Sequence, residues 1–293
     1  MLTHYQEALA SVFRLTDCQT DDELIGLWLH GKSPHTREAY KRDIAYFLAF
    51  IESKPLIQVK MEDVAAFSEA MVCQGYTISS IRRRLYAVKS LLSFGQKVGY
   101  LLVNVGKPVD LPKDRETLAE RILSESEVLK LIALEPKERN RLMLRFLYET
   151  GCRVSEMCQL KWKHLKPREG SGQVTIFGKG SQTRNVLLTQ ALWDELQSFR
   201  RKASANAPVF HSKSGRHLSP RNVWDIVKAA AKRAGIEGNV SAHWLRHSHA
   251  SHALERGAPI HLVQATLGHA SVATTGMYLH ARPQDSSARY LPR

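Results

Sequence analysis

The chain has 293 residues, enough for two domains with separate cores, and its 43% hydrophobic content is ordinary for a globular protein. Lys and Arg number 42 against 28 Asp and Glu, giving a net charge of +14 and a pI near 9.7. No apolar run is long enough to span a bilayer, and the basic balance favours a polyanion partner, because Lys and Arg that neutralise phosphates release counterions.

The charge is uneven. Residues 1–31 hold Arg14 against Glu7, Asp17, Asp21, Asp22 and Glu23, a net −4, which leaves +18 on the remainder. A polyanion contact is therefore expected to begin after this acidic segment. Cys18, Cys73, Cys152 and Cys158 form neither a metal-ligand spacing nor a small disulfide framework, and point to a reducing compartment. The N-terminus M-L-T-H-Y-Q-E-A lacks the blocks of a secretory signal, so a cytoplasmic, nucleoid-associated protein is expected.

Ser33-Pro34 starts the first clear helix, with serine capping the free amides and proline at the first position. Tyr40, Ile44, Phe47, Leu48 and Ile51 then follow helical spacing, with Arg37, Lys41 and Arg42 largely off that stripe. Met61 to Cys73 reads as a second helix, and Thr77 to Phe94 as a third with Ile81, Leu85, Val88 and Leu92 inward. Arg82, Arg83, Arg84 and Lys89 lie beside that third stripe. A basic helix face is often merely solvated. Two of them in one small helical domain of a basic chain favour contact with DNA.

From Gly99 to Ile122 the periodicity fails, and Gly106, Pro108 and Pro112 mark an interdomain linker. Ser124 and Glu127 form a capping box that opens the next helix. Residues 139–149 read as helix, ended by Thr150-Gly151, and another helix begins at once behind Arg153. An arginine there usually makes a surface ion pair. A helix N-terminus already favours anions, so the two together favour a phosphate. Gln173–Phe177 and Arg184–Leu188 read as strands joined by Gly178-Lys179-Gly180, and helices follow at 191–201 and from Ser219-Pro220. The second domain is mostly helical with a small antiparallel sheet.

The stretch from Ser241 to Tyr278 contains H-x-x-R (His243, Arg246), L-G-H (Leu267 to His269) and Tyr278. A cation, imidazoles and a phenol suit holding a phosphate and attacking it. His243 and His247 have the i, i+4 spacing of a zinc pair, but the glutamate of H-E-x-x-H is missing and no acidic residue lies among His247, His249 and His252. No metal site is assigned.

The motifs T-G-C-R-V-S-E, F-G-K-G-S-Q-T-R, H-W-L-R-H-S, L-G-H-A-S and the final M-Y, in that order, resemble the tyrosine recombinase (phage integrase) family. The start S-P-H-T-R-E-A-Y-K-R-D resembles that family's core-binding domain, and the layout is closest to compact Xer-type recombinases. The resemblance implies a mainly α protein. A helical, SAM-like core-binding domain over 32–105 follows the acidic segment 1–31. A linker over 106–122 leads to a catalytic domain over 123–282 and a tail over 283–293. The two domains are expected to close as a C-shaped clamp on DNA.

The resemblance also assigns roles. Tyr278 is the nucleophile that forms a 3′-phosphotyrosyl link, Arg153 and Arg246 hold the phosphate, and His243 is the acid/base partner of the phenol. Lys179 is the acid for the departing 5′ oxygen, and His269 donates a further bond. No cofactor, metal or ATP is expected, and the partners are double-stranded DNA with a specific site and copies forming a homotetramer or hetero-tetramer. The expected outcome is dimer resolution, or integration and excision. The alternatives are relaxation of supercoils as by a type IB topoisomerase, or DNA binding without chemistry.

Two positions depart from the family pattern. Gly276 stands where a larger polar residue is usual, and predicts a mobile Tyr278 segment in the absence of DNA. His164 stands where aspartate is frequent. In the tail, residues 288–291 are expected to dock on a neighbouring subunit.

Overall fold

The computed structural model describes residues 15–113, 118–178 and 182–281. The chain divides into two compact units, one up to residue 115 and one from residue 116. No helix among the described residues is long and apolar enough to cross a membrane.

The first unit holds α1 (Asp21–Leu29), α2 (Pro34–Phe50), α3 (Met61–Cys73) and α4 (Ile78–Lys97). Ser33 and Thr77 accept from the N–H of Thr36 and Ser80, capping α2 and α4. The apolar stripes meet in one core built from Ile44 and Phe47, Val64, Phe67 and Met71, and Ile81, Leu85, Val88 and Leu92. Each such side chain contributes about 1.5–3 kcal/mol on burial. Helix α4 runs on through the expected stop, because Gly95 is buried there against Leu101 and Leu24 rather than breaking the helix.

Helix α1 corrects the division at residue 31. Thr20 and Glu23 cap it reciprocally, and its Leu24, Trp28 and Leu29 are buried in the same core. Asp21 accepts from the Leu56 N–H and the Tyr100 hydroxyl, both at 2.8 Å. Two of the acidic residues thus build the first unit instead of a separate segment. Residues 1–14 of that segment lie outside the described residues.

The linker over 106–122 is likewise divided between the units. Val109 and Leu111 pack on the first core, while Leu118, Ile122 and Leu123 pack within the second. Residues 114–117 between them lie outside the described residues.

The second unit holds α5 (Glu125–Ala133), α6 (Glu138–Thr150), α7 (Val154–Cys158), β1 (Leu165–Arg168), β2 (Ser171–Phe177), β3 (Thr183–Leu188), α8 (Gln190–Arg200), α9 (Pro220–Ala234), α10 (Ala242–Glu255), α11 (Ile260–Leu267) and α12 (Val272–Ala281). Helix α6 is the core element, with Leu142, Met143, Leu144, Phe146 and Leu147 all buried. The sheet is antiparallel in the order β1-β2-β3, with Val174 opposite both Leu165 and Val186. Alternation along β2 turns Val174 and Ile176 inward, and Trp193 of α8 lies flat over Gly172, where any Cβ would enter its ring. Strand β1 was not expected, because Leu165-Lys166-Pro167-Arg168 has no alternating pattern and carries a proline.

A smaller apolar cluster of Ile122, Ala250, Val263, Leu267 and Tyr278 joins α10, α11 and α12. The described residues are mainly helical with one small antiparallel sheet, which agrees with the expected fold class.

Candidate active site

Four segments meet at the site. The first is the α6–α7 joint. Gly151 ends α6 in the left-handed region at φ +57°, and a Cβ there would lie 2.6 Å from Leu267 and 2.8 Å from His249. Glycine is thus required twice, by conformation and by space. Its carbonyl accepts from Arg246 Nη1 at 2.5 Å, and the Leu267 carbonyl accepts from Arg246 Nη2 at 2.7 Å. Arg246 as a residue is only 4% exposed, and its guanidinium is aimed by two main-chain oxygens. Burial, and then the Arg153 and Arg184 cations, lower its pKa to about 10, so it remains charged at neutral pH.

Arg153 stands at the start of α7. Its backbone N–H donates to Glu156 Oε2 at 2.8 Å, its Nη1 to Oε1 at 3.0 Å and its Nη2 to the Gly268 carbonyl at 3.5 Å. The carboxylate of Glu156 therefore places a negative charge at the helix start where the sequence favoured a phosphate. The Arg153 side chain is 40% exposed and keeps donors for an incoming anion.

Arg184 completes this group from β3. Its Nη1 and Nη2 fork onto Glu156 at 3.1 and 2.7 Å, and its Nε donates to the Thr266 carbonyl at 2.7 Å. Burial alone would raise the Glu156 pKa, but the Arg184 and Arg153 bonds outweigh it, and the carboxyl sits below its usual range. Gly268 lies at φ +66°, and a Cβ there would sit 3.0 Å from Arg184 Nη1.

The third and fourth segments bring the histidines and the phenol. His243 lies exposed in the first turn of α10, its pKa lowered by neighbouring protein mass and then by Arg246 and Arg153. His269 Nδ1 lies 2.9 Å from Thr275 Oγ1, and its ring is parallel to that of Tyr278 at 6.4 Å. Burial, then Arg246, Arg153 and Arg184, push His269 down to about 4. Tyr278 is 5% exposed, and its hydroxyl lies 2.7 Å from His247 Nδ1. Burial raises the phenol pKa, with the Arg246 cation opposing.

Residues 121–285 match the phage integrase family, and residues 24–97 match the phage integrase N-terminal SAM-like domain. The tyrosine recombinase XerA of Pyrococcus furiosus is 37% identical over 261 residues, covering 86% of this chain and 85% of its own. The chain belongs to the phage integrase family. Tyrosine recombinase XerD of Oceanobacillus iheyensis is 32% identical, covering 90% and 94%. The fold is similar to that of XerH site-specific recombinase in a post-cleavage complex with palindromic difH substrate, with a TM-score of 0.74 at 22% identity over 87% of this chain and 79% of that one.

For this integrase-family chain, the structure brings Arg153, Arg246, His269 and Tyr278 together, with His243 beside Arg246. Lys179 lies outside the described residues, and the Gly178 N–H before it donates to the Gln182 carbonyl at 2.7 Å. Sequence reasoning gave no role to Glu156, Arg184 or His247. All three stood inside quoted motifs. His247 was weighed only as a zinc ligand, and the partner it binds is 31 positions away.

The expected DNA contacts of the first unit separate into two groups. Arg37, Lys41 and Arg42 are exposed along α2, and Arg83 is half exposed beside buried Asp43, to which it is paired. Arg82 donates to the Pro112 carbonyl at 2.8 Å, and Lys89 holds the Val109 carbonyl. Arg84 is stacked over Tyr46 and Tyr76 at 4.3 and 4.2 Å. Each of these three thus has a partner within the first unit, and Arg84, stacked on two rings, is expected to serve packing rather than DNA contact.

Proposed function

We propose that this chain is a site-specific tyrosine recombinase in which Tyr278 attacks a DNA phosphodiester. The observation that carries the reading is the placement of the Tyr278 hydroxyl beside an arginine group whose orientation is fixed before substrate arrives. Arg246 is aimed by the Gly151 and Leu267 carbonyls, and Arg153 by Glu156.

In the reaction, the phenol oxygen bonds to phosphorus as the bond to the 5′ oxygen breaks, leaving a 3′-phosphotyrosyl link. Arg153 and Arg246 hold the non-bridging oxygens, and their hydrogen bonds strengthen as charge builds on the phosphorane. Loss of one such fixed donor typically slows chemistry by about 10²–10³. His243 and His269 border the same phosphate, and Lys179 gives a proton to the leaving 5′ oxygen. The covalent link conserves the energy of the broken bond, so the return attack by a 5′ hydroxyl needs neither ATP nor metal.

Exchange between two duplexes requires cleavage of four strands, each by one Tyr278. This supports a tetramer of recombinase chains, with the exposed basic face of α2 on the DNA backbone. Either resolution of dimers at a defined site or integration and excision would use this exchange.

The test is trapping on a nicked duplex whose short strand is lost after cleavage. The native chain should form a covalent complex, and Tyr278→Phe should form none. Relaxation of plasmids that lack any selected site would indicate a topoisomerase instead.

A further inference from the structure

We propose that His247 receives the proton of the Tyr278 hydroxyl during strand cleavage and returns it during rejoining. The proposal rests on the recombinase reading above and changes the assignment of that proton from His243. The hydroxyl lies 2.7 Å from His247 Nδ1, the ring centroids are 5.7 Å apart, and no second partner of the hydroxyl occurs among the described residues. His243 stands one turn earlier on the same helix, its ring centroid 6.4 Å from that of His247. The Arg246 and Arg153 cations act on the His243 ring and lower its pKa after burial does.

The charge state suits an acceptor. Burial comes first, then His243 and Arg246 from α10, Arg121 from the turn Ala119–Arg121 and His269 ahead of α12, and together they push His247 down to about 4. The ring is neutral at physiological pH, and its Nε2–H tautomer offers a lone pair on Nδ1 to the phenol hydroxyl. A hydroxyl that donates to Nδ1 keeps its own lone pairs free for phosphorus.

The step balances. As the phenol oxygen bonds to phosphorus, its proton passes to Nδ1 and the ring becomes an imidazolium. The P–O5′ bond breaks, and the leaving oxygen takes a separate proton from Lys179. The phosphate brings negative charge beside Arg246, one of the cations that, after burial, hold the ring neutral. Its affinity for the proton therefore rises only when substrate is bound.

The test uses the full chain and a nicked suicide duplex bearing the site that the chain itself selects from a random-sequence duplex pool. Single-turnover adduct formation is measured for the native protein, His247→Ala and His247→Gln. Both variants should lose about 100-fold or more in rate while binding the duplex with native affinity. Glutamine preserves the fold and the bond to the hydroxyl but takes no proton. Replacing Tyr278 with difluorotyrosine, a more acidic phenol, should return at least tenfold of the lost rate. Variants that cleave at the native rate overturn the assignment, and so does a loss that the acidic phenol leaves unchanged. A native chain that forms no adduct on this duplex overturns the recombinase reading itself.

Discussion

Arg184 Nη2 lies 2.7 Å from Glu156 Oε2, and the same carboxylate receives the backbone N–H and Nη1 of Arg153. One buried anion thus sets the geometry of the Arg153 guanidinium and is itself held by a second arginine from a different element. Removing one partner of such a group leaves the others uncompensated. Glu156→Gln should lower the cleavage rate about tenfold or more through misplacement of Arg153, with duplex affinity little changed. Arg184→Lys keeps the charge but loses the fork, and should give a similar loss. The double variant should be no worse than the poorer single one. Additive losses in a double-mutant cycle would show that the two act separately.

The histidines make stability depend on pH. His247, His249 and His269 are all pushed to about 4 by burial ahead of neighbouring charges. The unfolded chain, with ordinary values near 6.5, binds more protons as pH falls through that range. Stability is therefore full above about pH 6.5 and is lost progressively toward pH 4. Thermal unfolding between pH 7 and 5 should show a falling Tm, and His247→Gln should flatten the slope. Glu156 has the depressed carboxylate case, so its contribution is present above the unfolded value and lost only at more acid pH.

Gly276 lies within α12 between Thr275 and Tyr278, and a Cβ there meets nothing within 4 Å. Both neighbours are buried and bonded, to His269 and His247. Gly276→Ala should raise helix stability by about 0.5–1 kcal/mol. Hydrogen exchange over residues 274–280 should slow in the variant. Unchanged exchange would show that the glycine does not set the flexibility of the nucleophile segment.

The two groups of basic residues in the first unit differ in what they should lose. Arg37→Ala, Lys41→Ala or Arg42→Ala should weaken duplex binding and lower its salt dependence by about one counterion each. Arg84→Ala should instead lower the Tm, since it removes a cation stacked between Tyr46 and Tyr76. Native stability in the Arg84 variant with weakened binding would reverse the reassignment.

Much of the scaffold was legible because caps and periodicity are local. Ser33-Pro34, Ser124 with Glu127, and Ser219-Pro220 start helices where the chain places them. Arg153, Arg246, His269 and Tyr278 were legible from motifs in order. Helix α1 was hidden by its acidic charge, because the carboxylates of Asp21 and Glu23 cap and bridge rather than face solvent. The roles of His247 and Arg184 were not legible, since each is defined by a partner 31 or 28 positions away. The inward turn of Arg84 rests on aromatic rings from two other segments, which a helical wheel does not contain.

The chain has nine tyrosines, so the identity of the linked residue decides the central claim. The DNA-bound adduct trapped on the nicked duplex can be digested with protease and nuclease, and the nucleotide-bearing peptide sequenced by mass spectrometry. The expected adduct is a 3′-phosphate ester on Tyr278. A nucleotide on any other residue, or an adduct that persists in Tyr278→Phe, contradicts the assignment of Tyr278 as the nucleophile.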